Sequence, residues 1–181
     1  MIFSPTPLNG SFIIDLESLQ DKRGWFARYY CKNEFSQIGH KDEWVQMNHS
    51  FTSSIGTVRG MHFQKEPFKE IKLIRCVAGA VFDVIVDLRM GSPTFLKWFG
   101  VELSAGNKRS IYVPEGFAHG FQSLSDNCEL LYHHSAFYQP GLEGGLKYND
   151  PAVGINWPLP VSVISERDDR HTLLDKDFKG I

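Results

Sequence analysis

Gly79-Ala80-Val81-Phe82-Asp83-Val84-Ile85-Val86-Asp87-Leu88-Arg89 carries the clearest strand pattern in the chain. Phe82, Val84, Val86 and Leu88 fall on one face of a strand and Asp83, Asp87 and Arg89 on the other, the period of two expected of a half-buried strand. Ile85 interrupts the polar face, so that side is expected to be covered as well. Further strand-like runs lie on either side of it at 25–30, 45–52, 58–64, 71–77, 94–103, 110–113, 119–123 and 129–138. Gly91-Ser92-Pro93, Ala105-Gly106-Asn107, Pro114-Glu115-Gly116 and Ser125-Asp126-Asn127 punctuate them as turns. Many short strands spaced this way predict an all-β antiparallel sandwich or barrel. Helix is confined to the periphery: residues 32–38, with Phe35 and Ile38 apolar, predict a short surface helix, and 168–174 a turn or another helix. The charged tail beyond Asp175 reads as loose or docked on a neighbour. No repeat or linker divides the chain, so a single domain over residues 1–181 is expected. Residues 138–160, rich in Pro and Gly but anchored by Leu146, Tyr148, Ile155 and Trp157, read as an ordered loop region.

Composition bounds the rest. A chain of 181 residues, 42% hydrophobic and 22% charged, is long and apolar enough to build one sizeable core, which excludes a disordered chain. Nineteen basic residues against 21 acidic ones give a formal charge of -2 without a run of one sign. No nucleic-acid or anionic-membrane partner is therefore expected, while a local pocket for a small anion stays open. Asp83 and Asp87 break the longest apolar stretches far short of the ~20 residues of a membrane helix. Met1 to Gly10 lacks the basic start and apolar segment of an export signal, which makes the cytoplasm the expected location. Cys31, Cys76 and Cys128 are odd in number and lack CxxC spacing, so reduced, mostly buried thiols are expected rather than disulfides or a cysteine zinc site.

Chemistry-bearing residues gather in Gly56-Thr57-Val58-Arg59-Gly60-Met61-His62-Phe63-Gln64, Ile71-Lys72-Leu73-Ile74-Arg75, Val113-Pro114-Glu115-Gly116-Phe117-Ala118-His119-Gly120-Phe121 and Leu130-Leu131-Tyr132. Taken singly, His62 is a rim histidine held by a hydrogen bond, Lys72 a solvated strand residue and Tyr132 a core aromatic. His119 follows a Pro-x-Gly turn, where a structural bond to backbone would serve. Gathered on neighbouring strands of one small sandwich, the same groups point to a functional site, because clustered titratable groups are costly to bury. Arg23, Arg28, Arg59 and Arg75 are surface charges or anion ligands. Pro114-x-Gly116-x-x-His119 resembles the second signature of the cupin superfamily, a jelly-roll fold that often holds a metal. Gln64 stands where its first signature has a histidine, which leaves His62 and His119, with Glu70 in reserve, short of the usual set. A metal-free pocket is expected.

Asn48-His49-Ser50, the 56–64 and 72–76 runs, Gly79 to Val84, Asp87-Leu88-Arg89, Gly91-Ser92-Pro93-Thr94, Pro114 to Phe121, Asp150-Pro151 and Ser165-Glu166-Arg167-Asp168 together resemble the dTDP-4-dehydrorhamnose 3,5-epimerase family, in order and through nearly the whole chain. The resemblance implies a cupin-type jelly-roll β-sandwich with a few short peripheral helices, a homodimer with exchanged strands, no cofactor, and a nucleotide-linked 4-keto-6-deoxyhexose as substrate. It implies His62 as the base, Asp168 as the carboxylate that orients it, Lys72 with support from His119 beside the keto oxygen, and Tyr132 as the acid on the opposite face. It further implies Arg23 and Arg59 on the diphosphate, Gln46, Asn48 and Arg167 on substrate-binding positions, and Tyr138 beside the nucleotide base. A biosynthetic role in making deoxysugars such as L-rhamnose follows from the same likeness. His133-His134-Ser135-Ala136 and Tyr29-Tyr30 depart from the family pattern and are expected to flank the pocket. The rival readings are a metal-dependent cupin enzyme, a non-catalytic sugar-binding jelly roll, and an epimerase that inverts C3 alone.

Overall fold

The computed structural model describes all 181 residues. In chain order the strands are β1 (Ile2–Pro5), β2 (Phe12–Asp15), β3 (Leu19–Asp21), β4 (Gly24–Phe26), β5 (Gln46–Thr52), β6 (Thr57–Gln64) and β7 (Lys72–Ala78). They continue as β8 (Ala80–Asp87), β9 (Trp98–Ser104), β10 (Ser110–Val113), β11 (Phe117–Ser123), β12 (Cys128–His134), β13 (Glu143–Gly145) and β14 (Val163–Ile164). Two one-turn helices, α1 (Lys32–Phe35) and α2 (Glu166–Asp169), lie outside the sheets. One sheet is ordered β1-β2-β10-β7-β12-β5 and the other β13-β6-β11-β8-β9, with β14 parallel to β6. Apart from that short pair the ladders are antiparallel, so the molecule is the expected all-β jelly-roll sandwich. No helix is long and apolar enough to cross a membrane.

Alternation explains why the sheets face each other. Ile74 and Cys76 of β7, Leu130 of β12 and Ile111 of β10 pack against Val81 and Ile85 of β8, Leu103 of β9 and Phe121 of β11. Each fully buried large side chain contributes about 1.5–3 kcal/mol relative to exposure. The 79–89 stretch is a strand as expected, but its faces are the reverse of the simple reading. Val81, Asp83 and Ile85 point between the sheets, whereas Val84, Val86 and Leu88 point outward and are covered by Leu146, Val153, Trp157, Leu174, Phe178 and Ile181. The tail beyond Asp175 therefore docks on its own chain. Phe178 stacks on Phe95 at 5.9 Å and the Ile181 N–H donates to the Leu88 carbonyl at 2.8 Å.

Local chemistry sets the other departures. The run at 25–30 is a strand only over Gly24–Phe26, because its partner β3 offers three residues. The run at 94–103 starts at Trp98: Asp87 accepts from Ser92 and Thr94 hydroxyls at 2.6 Å each and gathers the preceding residues into a turn. Asp87 also receives Arg89, so this part of the family-like pattern is structural. The run at 129–138 ends at His134. Residues 32–38 form α1 and one 3-10 turn, as expected. The 168–174 expectation is met two residues early by α2, because the Ser165 hydroxyl caps it by accepting from the Asp168 N–H. β1, β2, β3, β13 and β14 escaped the sequence reading. The three cysteines are free, and burial pushes the Cys76 thiol up to about 12.

Candidate active site

Both sheets line one cavity of about 580 Å³. β6 supplies Arg59 and His62, β11 supplies His119, and β8 places Asp83 beneath them. The facing sheet supplies Lys72 from β7, Tyr132 and His134 from β12, and Gln46, Asn48 and Ser50 from β5. α2 brings Arg167 and Asp168 to the rim, and Tyr138 follows β12. Of the catalytic and substrate-binding residues that the resemblance implies, all line this cavity except Arg23; of the other arginines singled out, Arg28 pairs with Glu34 and Arg75 lies over the Tyr29 ring, away from the cavity. Arg23 sits on the β3–β4 hairpin, 90% exposed, with its guanidinium on Asp21 at 2.5 Å.

His62 and Asp168 form a tight pair. His62 Nε2 lies 2.7 Å from Asp168 Oδ1, and Asp168 Oδ2 accepts the Gly60 N–H at 3.0 Å. Gly60 is required for this approach: its φ is +126°, and a Cβ there would lie 2.6 Å from Gly120 Cα on β11. Burial acts to raise the Asp168 carboxyl, but the hydrogen bond and charge of His62, with the Gly60 N–H, outweigh it and hold the group below the ordinary aspartate value. An ionised carboxylate only accepts, so Nε2 carries the hydrogen and Nδ1 keeps the lone pair that a base needs.

Across the cavity the Tyr132 hydroxyl lies 3.2 Å from Ser50 Oγ. Burial pushes that hydroxyl far up, so it stays protonated and serves as a donor. Lys72 is buried, with Nζ 3.2 Å from Glu70 Oε1 and 3.4 Å from the His62 carbonyl. Burial opposes the Glu70 charge, yet His134 and Lys72 together hold its carboxyl below the ordinary value. His134 Nδ1 donates to Glu70 at 2.7 Å, which leaves its Nε2 to accept from the Asn48 amide at 3.3 Å. Gln46 then donates to Asn48 and accepts the Tyr138 N–H. One chain of hydrogen bonds therefore runs from Lys72 to the loop bearing Tyr138.

His119 donates to the fully buried Asp83 at 2.8 Å, and its ring meets Tyr132 edge-on at 6.1 Å. Arg59 is held by Thr52 Oγ1 and the Phe51 carbonyl, and Arg167 by Glu143 at 2.8 Å.

Several participants escaped the sequence reading. Asp83 lay in plain view: a carboxylate in a strand covered on both faces must find a partner. His134 was expected to flank the pocket but lines it, stacked 6.2 Å from Tyr132, while His133 points out to Tyr29 and Trp44. The metal set considered from the sequence is dispersed, with His119 on Asp83 and Glu70 on Lys72 and His134. A different group, His62, Asp168 and His171, presents ligand atoms within 4.8 Å of one another.

The family model described as dTDP-4-dehydrorhamnose 3,5-epimerase matches residues 5–176. The dTDP-4-dehydrorhamnose 3,5-epimerase of Salmonella typhimurium is 44% identical, over 97% of both chains. The crystal structure of the enzyme of that name from Elizabethkingia anophelis superposes with a TM-score of 0.94 at 40% identity, over 98% of both chains. That from Bacillus anthracis, with TDP and PPi bound, superposes with a TM-score of 0.92 at 38% identity, over 96% of this chain and 99% of the other. The jelly-roll frame, the cavity between its sheets and this match over nearly the full length agree, and the chain belongs to the dTDP-4-dehydrorhamnose 3,5-epimerase family.

Proposed function

We propose that the protein epimerises dTDP-4-dehydro-6-deoxyglucose at C3 and C5 to dTDP-4-dehydrorhamnose, through an enolate and without a cofactor. The observation that carries this reading is the division of the cavity: a His62–Asp168 pair on one sheet and a protonated Tyr132 on the facing one. Inversion needs a base and an acid on opposite faces of one carbon, and a binding module needs neither.

The C4 ketone acidifies the hydrogens on C3 and C5. His62 Nδ1 takes one of them, the electron pair moves onto the carbonyl oxygen, and Asp168 stabilises the imidazolium. Lys72, supported by His119, stabilises the enolate oxygen, where one donor is typically worth about 3–4 kcal/mol. Tyr132 then delivers a proton from the opposite face, after which His62 and Tyr132 reset by exchange with solvent. Arg59 binds the diphosphate end, Gln46, Asn48 and Arg167 hold the substrate, and Tyr138 borders the base.

The chain acts as one domain in a cytoplasmic homodimer that makes a deoxysugar precursor. Leu19, Trp25 and Phe26 leave the β3–β4 hairpin apolar and exposed, and β5 is an open sheet edge carrying exposed Met47 and Phe51. Pairing there covers both features and carries Arg23 to the partner's cavity.

Turnover of the 4-keto sugar nucleotide in deuterated water tests the reaction. Deuterium at both carbons with an L-configured product is expected. Label and inversion at C3 alone would replace this reading with a 3-epimerase, for which the placement of His134 against Tyr132 is the structural motive.

A further inference from the structure

His171, three residues beyond Asp168, has no part in the chemistry above. Its ring lies flat against Gly145, where a Cβ would come within 1.9 Å of it, and meets the His62 ring edge-on at 6.1 Å. His171 Nε2 is buried, has no hydrogen-bond partner and lies 4.0 Å from Asp168 Oδ1. An orphaned buried nitrogen 4.0 Å from a carboxylate that already holds another imidazole puts three ligand atoms within 4.8 Å of one another, and side-chain rotation that draws them together on one cation gives the bonds of about 2.0–2.2 Å that zinc makes.

We propose that His62, Asp168 and His171 form an inhibitory site for a zinc-like divalent transition-metal ion, which switches the base off without filling the substrate cavity. Two imidazoles and one carboxylate make a mixed nitrogen and oxygen set, which zinc accepts and magnesium or calcium does not. The ion enters from the cavity side, since His62 and Asp168 line the cavity and His171 Nε2 is closed to solvent.

The tautomer explains the inhibition. In the metal-free pair Nε2 carries the hydrogen and Nδ1 the lone pair. Zinc takes the Nε2 lone pair, so that proton leaves and a neutral ring carries its hydrogen on Nδ1 instead. One proton is lost at Nε2 and one gained at Nδ1, and the imidazole no longer accepts a proton from carbon. The substrate still binds, so kcat falls at an unchanged KM.

This inference rests in part on His62 being the base, and the test separates the two claims. Untagged protein in metal-free buffer is titrated with Zn²⁺ by calorimetry, and turnover is followed at each Zn²⁺ level for wild type, His171→Ala and His171→Gln. The glutamine variant keeps most of the packing against Gly145. Expected are one zinc per chain, a loss of affinity of ~10-fold or more in both variants, a fall in kcat at constant KM in wild type only, and recovery on chelation. Equal zinc affinity in all three proteins, no binding to wild type, or inhibition that raises KM would overturn the site. Binding that depends on His171 but leaves turnover untouched would overturn the switch, and with it the assignment of His62 as base.

Discussion

His62 and His119 stand opposite each other in register on β6 and β11, yet each gives its Nε2 to a different aspartate, Asp168 for the first and Asp83 for the second. The two pairs are electrostatically opposed. Asp168 has the Gly60 N–H on its second oxygen and is held below the ordinary value, while Asp83 Oδ1 has no partner and burial pushes its carboxyl up. A carboxylate held low suits an imidazolium partner, and one pushed up by burial suits a ring that is only positioned, which is the division of roles proposed above.

That contrast makes Asp168→Asn informative. The Asn oxygen can still accept from Gly60, which turns its NH₂ toward His62 Nε2 and forces the hydrogen onto Nδ1. The base is then in the wrong tautomer, a change worth roughly 10³–10⁴ in kcat where a histidine base is oriented by a carboxylate. Stopped assays should show deuterium exchange at C3 and C5 falling together while dTDP affinity is kept. Exchange at near wild-type rate would remove Asp168 from the mechanism.

Tyr132→Phe should separate abstraction from inversion. His62 still forms the enolate, but a base that returns its own proton to the same face regenerates the starting sugar. Label therefore enters the recovered substrate faster than inverted product forms, by roughly 10²-fold. The lost Ser50 contact costs about 1 kcal/mol, too little to unfold the sandwich. Loss of exchange equal to that of His62→Ala, in folded protein, would contradict the division of roles.

Asp83 and Asp87 lie on one face of β8 and should give stability opposite dependences on pH. Asp87, gripped by Arg89, Ser92 and Thr94 against the pull of burial, is lowered to about 2. Its contribution is present above the unfolded value of 3.8 and is lost as pH falls through about 2. Asp83 is raised by burial, so its contribution is full below 3.8 and is lost as pH rises through its folded value. In urea unfolding at a series of pH values, Asp87→Asn should cost about 1–2 kcal/mol at neutral pH, after allowance for solvent screening, with that cost shrinking below 3.8 and vanishing below about 2. For Asp83→Asn, wild type should gain on the variant as the solution is acidified. Parallel pH profiles for the two variants would refute the assignment.

How far the sequence alone carries can be judged at the same strand. Alternation over residues 79–89 identifies two faces, but both are covered, so hydrophobicity cannot tell which one looks inward; that depends on the 146–181 segment folding across the outside. The central strands were legible because Gly, Pro and Asn turns bound them. β1, β2, β3, β13 and β14 were not, since two to four residues carry too little period to stand out from loop. His62, Lys72, His119, Tyr132 and Asp168 were legible through motif order. Their partners Glu70, Asp83 and His134 were not, because Lys72 meets His134 only once β7 and β12 pair in register. Arg23 matched a motif position, but its own chain leaves it on an exposed hairpin paired with Asp21, and a site shared with a second copy, as proposed above, would leave no local pattern to read.

That hairpin allows the sharpest test of the dimer. If Arg23 reaches the partner's cavity, each active site combines His62 of one copy with Arg23 of the other. Removing a charge-assisted contact to diphosphate, Arg23→Ala should raise KM roughly 10–100-fold and leave kcat little changed, whereas His62→Ala should abolish turnover. When the two variants are mixed and allowed to exchange subunits, a mixed dimer carries one site with both changes and one with neither. Random pairing makes about half the dimers mixed, so about a quarter of all sites become wild type. Activity at low substrate should therefore rise on mixing, well above the mean of the two separate proteins, in step with dimer formation followed by sedimentation. A mixture that never exceeds that mean, or a protein that sediments as a monomer at assay concentration, would return Arg23 to the surface role that its ion pair with Asp21 describes.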